Sequence, residues 1–432
     1  MMRLAMPVDW LGIAILLGGF VALMVLRVPI AFALGLASLG TALHLGLPLL
    51  LVAQRMINGL NSFTFLAVPF FILVGNIMTE GGISDRLVRL ADVLVGRLRG
   101  GLAHGNVVAS TMFGGISGSS VADVASIGSF LIPAMRKAGY PAGYSVAVTV
   151  TSSVQGVLIP PSQNMIFYAL AAGGLPISTL FLAGYVPGLM LGLSLMVICA
   201  VMARRHKHPM GQRYSLRHGT RVMLDALIGL FTIVIIIGGI LTGVFTATES
   251  AAVAVVYALL VTLLWYRSLT LRAVSRIFST TLTTLAMVTA IIMTSSVFGF
   301  LLSYLRIPAL LAEGIFFISD NKLFVLLAIN LLLLVLGMLM DMGVLILLLT
   351  PILLPIATKV GVDPIQFGII MILNLGIGLC TPPVGTSLIV GCGIARIRLG
   401  QAVASMWPFY LAMIVVLLLV TYIPALSLAL PT

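Results

Sequence analysis

Charge is scarce in this sequence: 8% of its 432 residues are Asp, Glu, Lys or Arg, and only 11 are acidic. A soluble globular domain carries about 25% charged residues, so a water-facing surface of ordinary extent is excluded. Cysteine is nearly absent too. Cys199, Cys380 and Cys392 stand singly in apolar stretches, without metal-ligand or disulfide spacing, and read as small buried hydrophobes. His44, His104, His206, His208 and His218 sit at segment ends or in connectors and show no ligand spacing either. No nucleophile triad is visible, and the Gly- and Ser-rich run 115–120 is followed by no lysine. It is therefore not a phosphate loop, and neither an enzyme nor a nucleotide-driven machine is expected.

What is present is hydrophobic: 61% of residues are apolar and mean hydropathy is +1.23. Apolar stretches of about 20 residues, each long enough to cross a hydrocarbon core of about 30 Å as a helix, recur from one end to the other. The expected class is an all-α polytopic membrane protein. The net charge of +12 is confined to short connectors without an aromatic platform, so it reports topology and no nucleic-acid partner is expected. Asp9 and the apolar run to Leu26 read as a first span and not as a cleaved signal, for which a cleavage site would be needed.

About ten spans are expected, near 9–26, 29–53, 64–79, 143–172, 178–203, 223–242, 248–266, 277–304, 364–394 and 401–428. Two further apolar stretches, about 104–131 and 323–357, carry a small or polar break in the middle. At about 1.5 Å per residue they reach about 42 and 52 Å, short of the roughly 60 Å that two crossings need. Both read as re-entrant hairpins. With the N-terminus outside, inner connectors hold eighteen basic residues, and only Arg3, Arg55, Arg306, Lys322 and Lys359 lie outside. That positive-inside bias brings the first hairpin in from the cytoplasm and the second from the far side. The basic connector 204–221, which includes Arg213, is most simply a topology anchor, with a lipid headgroup or a partner as the alternative.

Displacing the sequence by 222 residues aligns Gly115 with Gly337, Pro133 with Pro355, Gly139 with Gly361, Gly156 with Gly378, and Pro160-Pro161 with Pro382-Pro383. Spans fall on spans and hairpin on hairpin. Each half has an odd number of spans, so two inverted repeats are expected, 1–210 and 211–432. Residues 83–98 put Ile83, Leu87, Leu90, Leu94 and Leu98 on one helical face, as in a helix lying in the interface. The stretch from Pro308 to Ser319 is its counterpart.

Four places bring polar side chains and helix breakers to membrane depth, where free backbone is costly unless it lines a cavity or is buried in protein. They are the first hairpin tip at 114–123, Ser152 to Asn164, the second tip at 337–343, and Gly378 to Ser387. Paired prolines end a helix and free carbonyls, and carbonyl and hydroxyl oxygens suit a small hard cation. Half-helix starts suit a carboxylate. Each half then builds one sodium site from a hairpin tip and a broken span. The candidate cation ligands are Ser117, Gly118, Ser119, Ser120, Asp123, Gly156 and Pro160 in the first half, and Met340, Asp341, Thr381, Pro382 and Gly385 in the second. Candidate substrate contacts are Ser152, Ser153, Ser162, Gln163, Asn164 and Thr386. The alternative is that the small residues ease helix packing and the prolines only kink helices. Asp123 serves equally as a helix cap; Asp341, with fewer polar neighbours, reads as a ligand. No cofactor other than sodium as coupling ion is expected.

The run Val68 to Asn76, the segment Gly114 to Gly128, Ile159-Pro160-Pro161-Ser162, Gly243 to Ala252 and Gly378 to Gly385 together resemble the large permease subunit of TRAP transporters over nearly the whole chain. Family versions often have Pro at the place of Ala247 and Ala at that of Ser250; neither position is a proposed ligand. The resemblance implies a multi-pass subunit of the bacterial inner membrane that imports an organic acid, of sugar-acid or C4-dicarboxylate type, with sodium by an elevator mechanism. It implies two partners, a small four-span membrane subunit and a soluble periplasmic binding protein. Because the first span begins within ten residues, the small subunit is expected to be a separate chain. The competing readings are a stand-alone sodium/dicarboxylate symporter and, more remotely, a proton-conducting subunit of a respiratory complex.

Overall fold

Helix after helix follows from this composition, since a backbone facing lipid must satisfy its own hydrogen bonds. The computed structural model describes residues 8–210, 214–318 and 321–431. Arg3, Arg213 and Ser319, which entered the topology and interfacial-helix readings, lie outside the described residues. In chain order the helices are α1 (Trp10–Val25), α2 (Ile30–His44), α3 (Leu49–Leu60), α4 (Ala67–Glu80), α5 (Ile83–Val95), α6 (Gly101–Ser117), α7 (Ser120–Lys137), α8 (Ala142–Leu158), α9 (Gln163–Ala171) and α10 (Ile177–Arg205). They continue with α11 (Leu216–Leu241), α12 (Ala247–Trp265), α13 (Leu271–Tyr304), α14 (Ile307–Ile318), α15 (Lys322–Gly337), α16 (Met342–Lys359), α17 (Pro364–Leu379), α18 (Thr386–Ala395) and α19 (Leu399–Tyr422).

Among the described residues six helices are long and apolar enough to cross a membrane, α10, α11, α12, α13, α16 and α19. The count rises to eight if the bent pairs α4–α5, at 68°, and α8–α9, at 49°, are each one span. The remaining apolar helices are shorter. The stretch 29–53, read above as one span, is instead divided: α2 ends at His44, Gly46 turns the chain at φ +64°, and Pro48 precedes α3. A left-handed glycine followed by a proline two residues on is a helix stop, and an apolar sequence overrides neither. The interfacial stripe of 83–98 is buried only at its start. Ile83, Leu87 and Leu90 pack inward, whereas Leu94 and Leu98 are exposed.

The stretches 104–131 and 323–357 are antiparallel helical hairpins, α6–α7 and α15–α16, each turning within four residues or fewer. Under the 222-residue displacement α7 coincides with α16 at both ends, and α6, α8, α9 and α10 begin within one residue of α15, α17, α18 and α19. One difference stands out: α3 and α4 together correspond to the single 34-residue α13. Helices α8 and α17 are buried on every side, from Tyr144 to Leu158 and from Ile365 to Leu379, and α8 carries Thr149, Ser152, Ser153 and Gln155 into that interior. They pack on each other, α8 against the first hairpin and α17 against the second. A second group has α2, α3 and α4 packed on α13 and α12 packed on α4, and α13 touches α16.

Candidate functional site

The two breaks at Pro160-Pro161 and Pro382-Pro383, both cis, stop α8 and α17 in the interior, and each hairpin tip leans on one of them. At the first tip Gly118 closes α6 in the left-handed region, φ +57°. A side chain there would also strike Gln163 N at 2.6 Å, so glycine is required twice over. Asn164 donates its side-chain amide to Gly118 O at 3.0 Å. At the second tip Val384 N donates to Met338 O at 3.2 Å. Behind the tips the backbones nearly touch: a methyl on Gly114 would lie 2.0 Å from Gly156 Cα, and one on Gly378 would lie 2.5 Å from the carbonyl carbon of Gly337.

Ser119 caps α7, its hydroxyl accepting from Ala122 N at 3.4 Å. The next residue, Ser120, is 2% exposed and its Oγ lies 2.6 Å from Ser153 Oγ and 2.7 Å from Ser387 Oγ. Hydroxyls from a hairpin, a broken helix and a half-helix of the other half of the chain thus share one point. Asp123 lies a turn deeper. Ser110 Oγ donates to its Oδ1 at 3.2 Å and also lies 3.2 Å from Ser152 Oγ. Ser152 reaches Asn106 Oδ1 at 3.3 Å, and Asn106 donates to Thr149 at 2.6 Å. Asp123 Oδ2 finds no partner among the described residues, and a methyl on Gly156 would sit 3.2 Å from it. A buried carboxylate oxygen without a donor is costly and fits a bound cation or a retained proton. Asp123 therefore does not cap α7; Ser119 does.

In the second half the cap falls to Asp341, 222 residues after Ser119, whose Oδ1 accepts from Gly343 N at 2.9 Å. Asp341 is an exposed residue, and Met340 and Met342 flank it. A methyl on Gly343 would lie 3.3 Å from both Asp341 Oδ1 and the ring of Phe167 in α9, so the second tip abuts the first broken span. Thr381 donates its hydroxyl proton to Ile377 O at 2.8 Å. Gly385, at φ +53°, opens α18 beside Thr381 O.

Of the sequence candidates, Ser120, Ser153 and the Gly118–Ser162–Asn164 group are brought together, as are Ser152, Asp123 and Gly156. Ser117 Oγ is engaged with the backbone of Ser119, accepting from Ser119 N at 3.4 Å and lying 3.5 Å from Ser119 O, and Gly115, not a candidate, is what faces Pro160 O. Ser162 Oγ and Thr386 Oγ1 are buried without partners among the described residues, each at the start of a half-helix, where free donors and acceptors would meet a ligand. Pro382 sits in the second break beside Thr381, and Gln163 opens α9. Sequence reading missed Asn106, Ser110, Thr149 and Ser387. The pairs Asn106/Ser110 and Thr149/Ser152 stand four and three apart, one face of a helix; Ser387 closes the polar segment that begins at Gly378, in which nothing set it apart from its neighbours. Among the described residues no three His, Cys, Asp or Glu side chains group as metal ligands. The donor set of hydroxyls, carbonyls and single carboxylates is a hard-oxygen set, suited to an alkali cation.

The chain matches, over residues 17–426, the model of the DctM component of the tripartite ATP-independent periplasmic transporter. It is 46% identical over 97% of both chains to the uncharacterized protein YgiK of Salmonella typhimurium. It is 39% identical, over 96% of this chain and 98% of the other, to the C4-dicarboxylate TRAP transporter large permease protein DctM of Rhodobacter capsulatus. To the sialic acid TRAP transporter large permease protein SiaM of Vibrio cholerae it is 40% identical over 88% of each. Its fold resembles the crystal structure of the Alcanivorax borkumensis YdaH transporter, with a TM-score of 0.64 at 14% identity over 89% of this chain and 90% of that one. The chain is a large permease of the DctM family, a multi-pass membrane transport subunit and not an enzyme.

Proposed function

We propose that this permease imports an organic acid of sugar-acid or C4-dicarboxylate type, driven by sodium and fed by a periplasmic binding protein. The observation that carries the proposal is the junction of hydroxyls, freed carbonyls and carboxylates where two hairpin tips meet two interrupted helices. Ser117 to Ser120, Asp123, Gly156 and Pro160 form one sodium site in this reading, and Met340, Asp341, Thr381, Pro382 and Gly385 the other. Ser152, Ser153, Ser162, Gln163, Asn164 and Thr386 face the substrate between them, where half-helix starts favour a carboxylate. The relatives named for C4-dicarboxylate and for sialic acid agree on a carboxylate and differ in its carrier, so substrate choice is assigned to the binding protein.

The two halves, 1–210 and 211–432, are read as inverted repeats of about ten spans and two hairpins, a reading supported by the 222-residue correspondence of helices. The hairpins with α8, α9, α17 and α18 are the moving part, and α2 to α4 with α11 to α13 the scaffold of an elevator. A tripartite system needs two further chains, here a separate small four-span subunit and the binding protein, in the bacterial inner membrane. The same description favours this arrangement over a stand-alone symporter. The test is reconstitution with both partners: uptake of the substrate recovered with the binding protein has to require an inward sodium gradient. Uptake that persists at full rate with potassium replacing sodium, or without the binding protein, would refute it.

A further inference from the structure

Away from the hairpin tips, a cleft of about 630 Å³ opens where α3 and α13 face α16 and the end of α9. Its volume lies in the range of small-molecule sites, about 300–1,000 Å³. Among the described residues that line it Arg55 is the one charged side chain, and Asn58, Ser62, Ser295, Ser296 and Ser303 line it as well. Arg55 comes from the amphipathic helix α3 and lies over the ring of Phe300, 4.3 Å from its centroid. That contact uses one face of the guanidinium and leaves its N–H edge available. No ion pair involving Arg55 occurs among the described residues. A guanidinium held over an aromatic ring, with no acid beside it, presents a fork matched to a carboxylate.

A second observation points the same way. Ser295 lines the cleft, is 7% exposed, and its hydroxyl has no partner among the described residues. Burying an unpaired hydroxyl costs free energy that a ligand oxygen would recover. The walls are set by backbone approach: a methyl on Gly59 would meet Ser296 Oγ at 2.5 Å, and one on Gly299 would touch Pro351 of α16 at 3.7 Å. The cleft thus spans the contact between the scaffold helices and the second hairpin.

We propose that this cleft is a separate organic-anion subsite, in which Arg55 receives the carboxylate of the substrate and Ser295 hydrogen-bonds its polar body before it reaches the hairpin tips. The proposal rests on the organic-acid reading above and adds a place on the scaffold side to it. Its test does not depend on transport. Purified protein in nanodiscs of phosphatidylcholine is treated with phenylglyoxal, and labelling of Arg55 is followed by peptide mass spectrometry. Succinate, D-gluconate and N-acetylneuraminate are the probes; succinamide and sodium chloride at matched ionic strength are the controls. At least one carboxylate should slow labelling of Arg55 several-fold while exposed Arg272 reacts at an unchanged rate. Ser295→Ala should weaken that protection and leave unprotected labelling as it was. Absence of protection by all three probes, or equal protection by succinamide or salt, overturns the proposal. So does protection by phosphatidylglycerol in the nanodisc alone, which would assign Arg55 to a lipid phosphate. Failure of sodium-driven uptake would refute the transport reading while leaving this labelling result to stand or fall alone.

Discussion

Ser120 and Ser387, 267 residues apart in sequence, place their hydroxyl oxygens 2.7 Å from each other. One stands at the start of the first hairpin's return helix and the other at the start of the last half-helix, so this contact ties the two halves of the chain at their most polar point. Their counterparts under the 222-residue displacement are Met342 and Met165, which offer no hydroxyl. The two halves therefore share a backbone plan but not a donor set.

That asymmetry gives the first prediction. If the serine junction contributes oxygens to a cation, Ser120→Ala and Ser387→Ala should each weaken sodium affinity by about 1 kcal/mol, roughly a fivefold rise in the concentration for half-maximal uptake. The double variant should show coupling, since the two hydroxyls contact each other. Ser119→Ala should weaken sodium dependence as well and in addition remove the helix cap. Sodium titration of uptake in proteoliposomes measures all of these, and an unchanged sodium dependence in Ser120→Ala would remove the junction from the site.

Why Ser387 was not singled out within the polar segment 378–387 is plain in this contact. Segment-local signals such as a Pro-Pro pair or a Gly-Ser-Ser run mark where a helix stops, and those stops fall where expected in α8, α9, α17 and α18. They do not say which half-helix a hairpin tip will face. Asn106 and Ser110 were hidden for a different reason: inside a hairpin helix their polarity is diluted by apolar neighbours, and only their four-residue spacing sets them on a common face. The division of 29–53 shows the opposite failure, where a long apolar run masked the stop signal of Gly46 and Pro48. The exposed cap at Asp341 likewise depended on the geometry of the turn, to which its sequence neighbours gave no guide.

The close approach of glycines behind the tips yields a stability prediction. A methyl on Gly378 meets the Gly337 backbone at 2.5 Å, whereas at Gly400 nothing lies within 4 Å. Gly378→Ala should destabilise by about 1–3 kcal/mol or more, because backbone on both sides resists the shift. Gly400→Ala, in the first turn of α19, should be neutral or slightly stabilising through helix propensity. Thermal unfolding of the two detergent-purified variants compares them directly. Equal melting would show that the second hairpin is not seated against α17 as described.

Movement of the hairpins against the scaffold is open to crosslinking at one contact. Gly299 of α13 and Pro351 of α16 lie within ordinary van der Waals reach, and native Cys199, Cys380 and Cys392 are buried and free, so an introduced pair is readable against a quiet background. Gly299→Cys with Pro351→Cys should crosslink in one of the two facing states and block uptake until reduced. Equal crosslinking with and without sodium and substrate, together with full uptake by the crosslinked protein, would count against an elevator.

The last prediction separates charge from shape at Asp341. Its carboxylate caps α16 through Gly343 N at 2.9 Å, and asparagine caps a helix about as well as aspartate does. Asp341→Asn should therefore keep the hairpin turn, the fold and assembly with the small subunit, while removing the one negative charge at this tip. Asp341→Ala removes both and should in addition cost about 1 kcal/mol of helix stability. If sodium binds between Asp341 and the oxygens of Thr381 to Gly385, both variants raise the sodium concentration needed for half-maximal uptake, and Asn does so without lowering the melting temperature. An Asn variant with wild-type sodium dependence and a less stable Ala variant would make Asp341 a cap alone. In that case the second cation site would have to be built from backbone carbonyls of the broken helix, with the charge of the transported anion completing the balance.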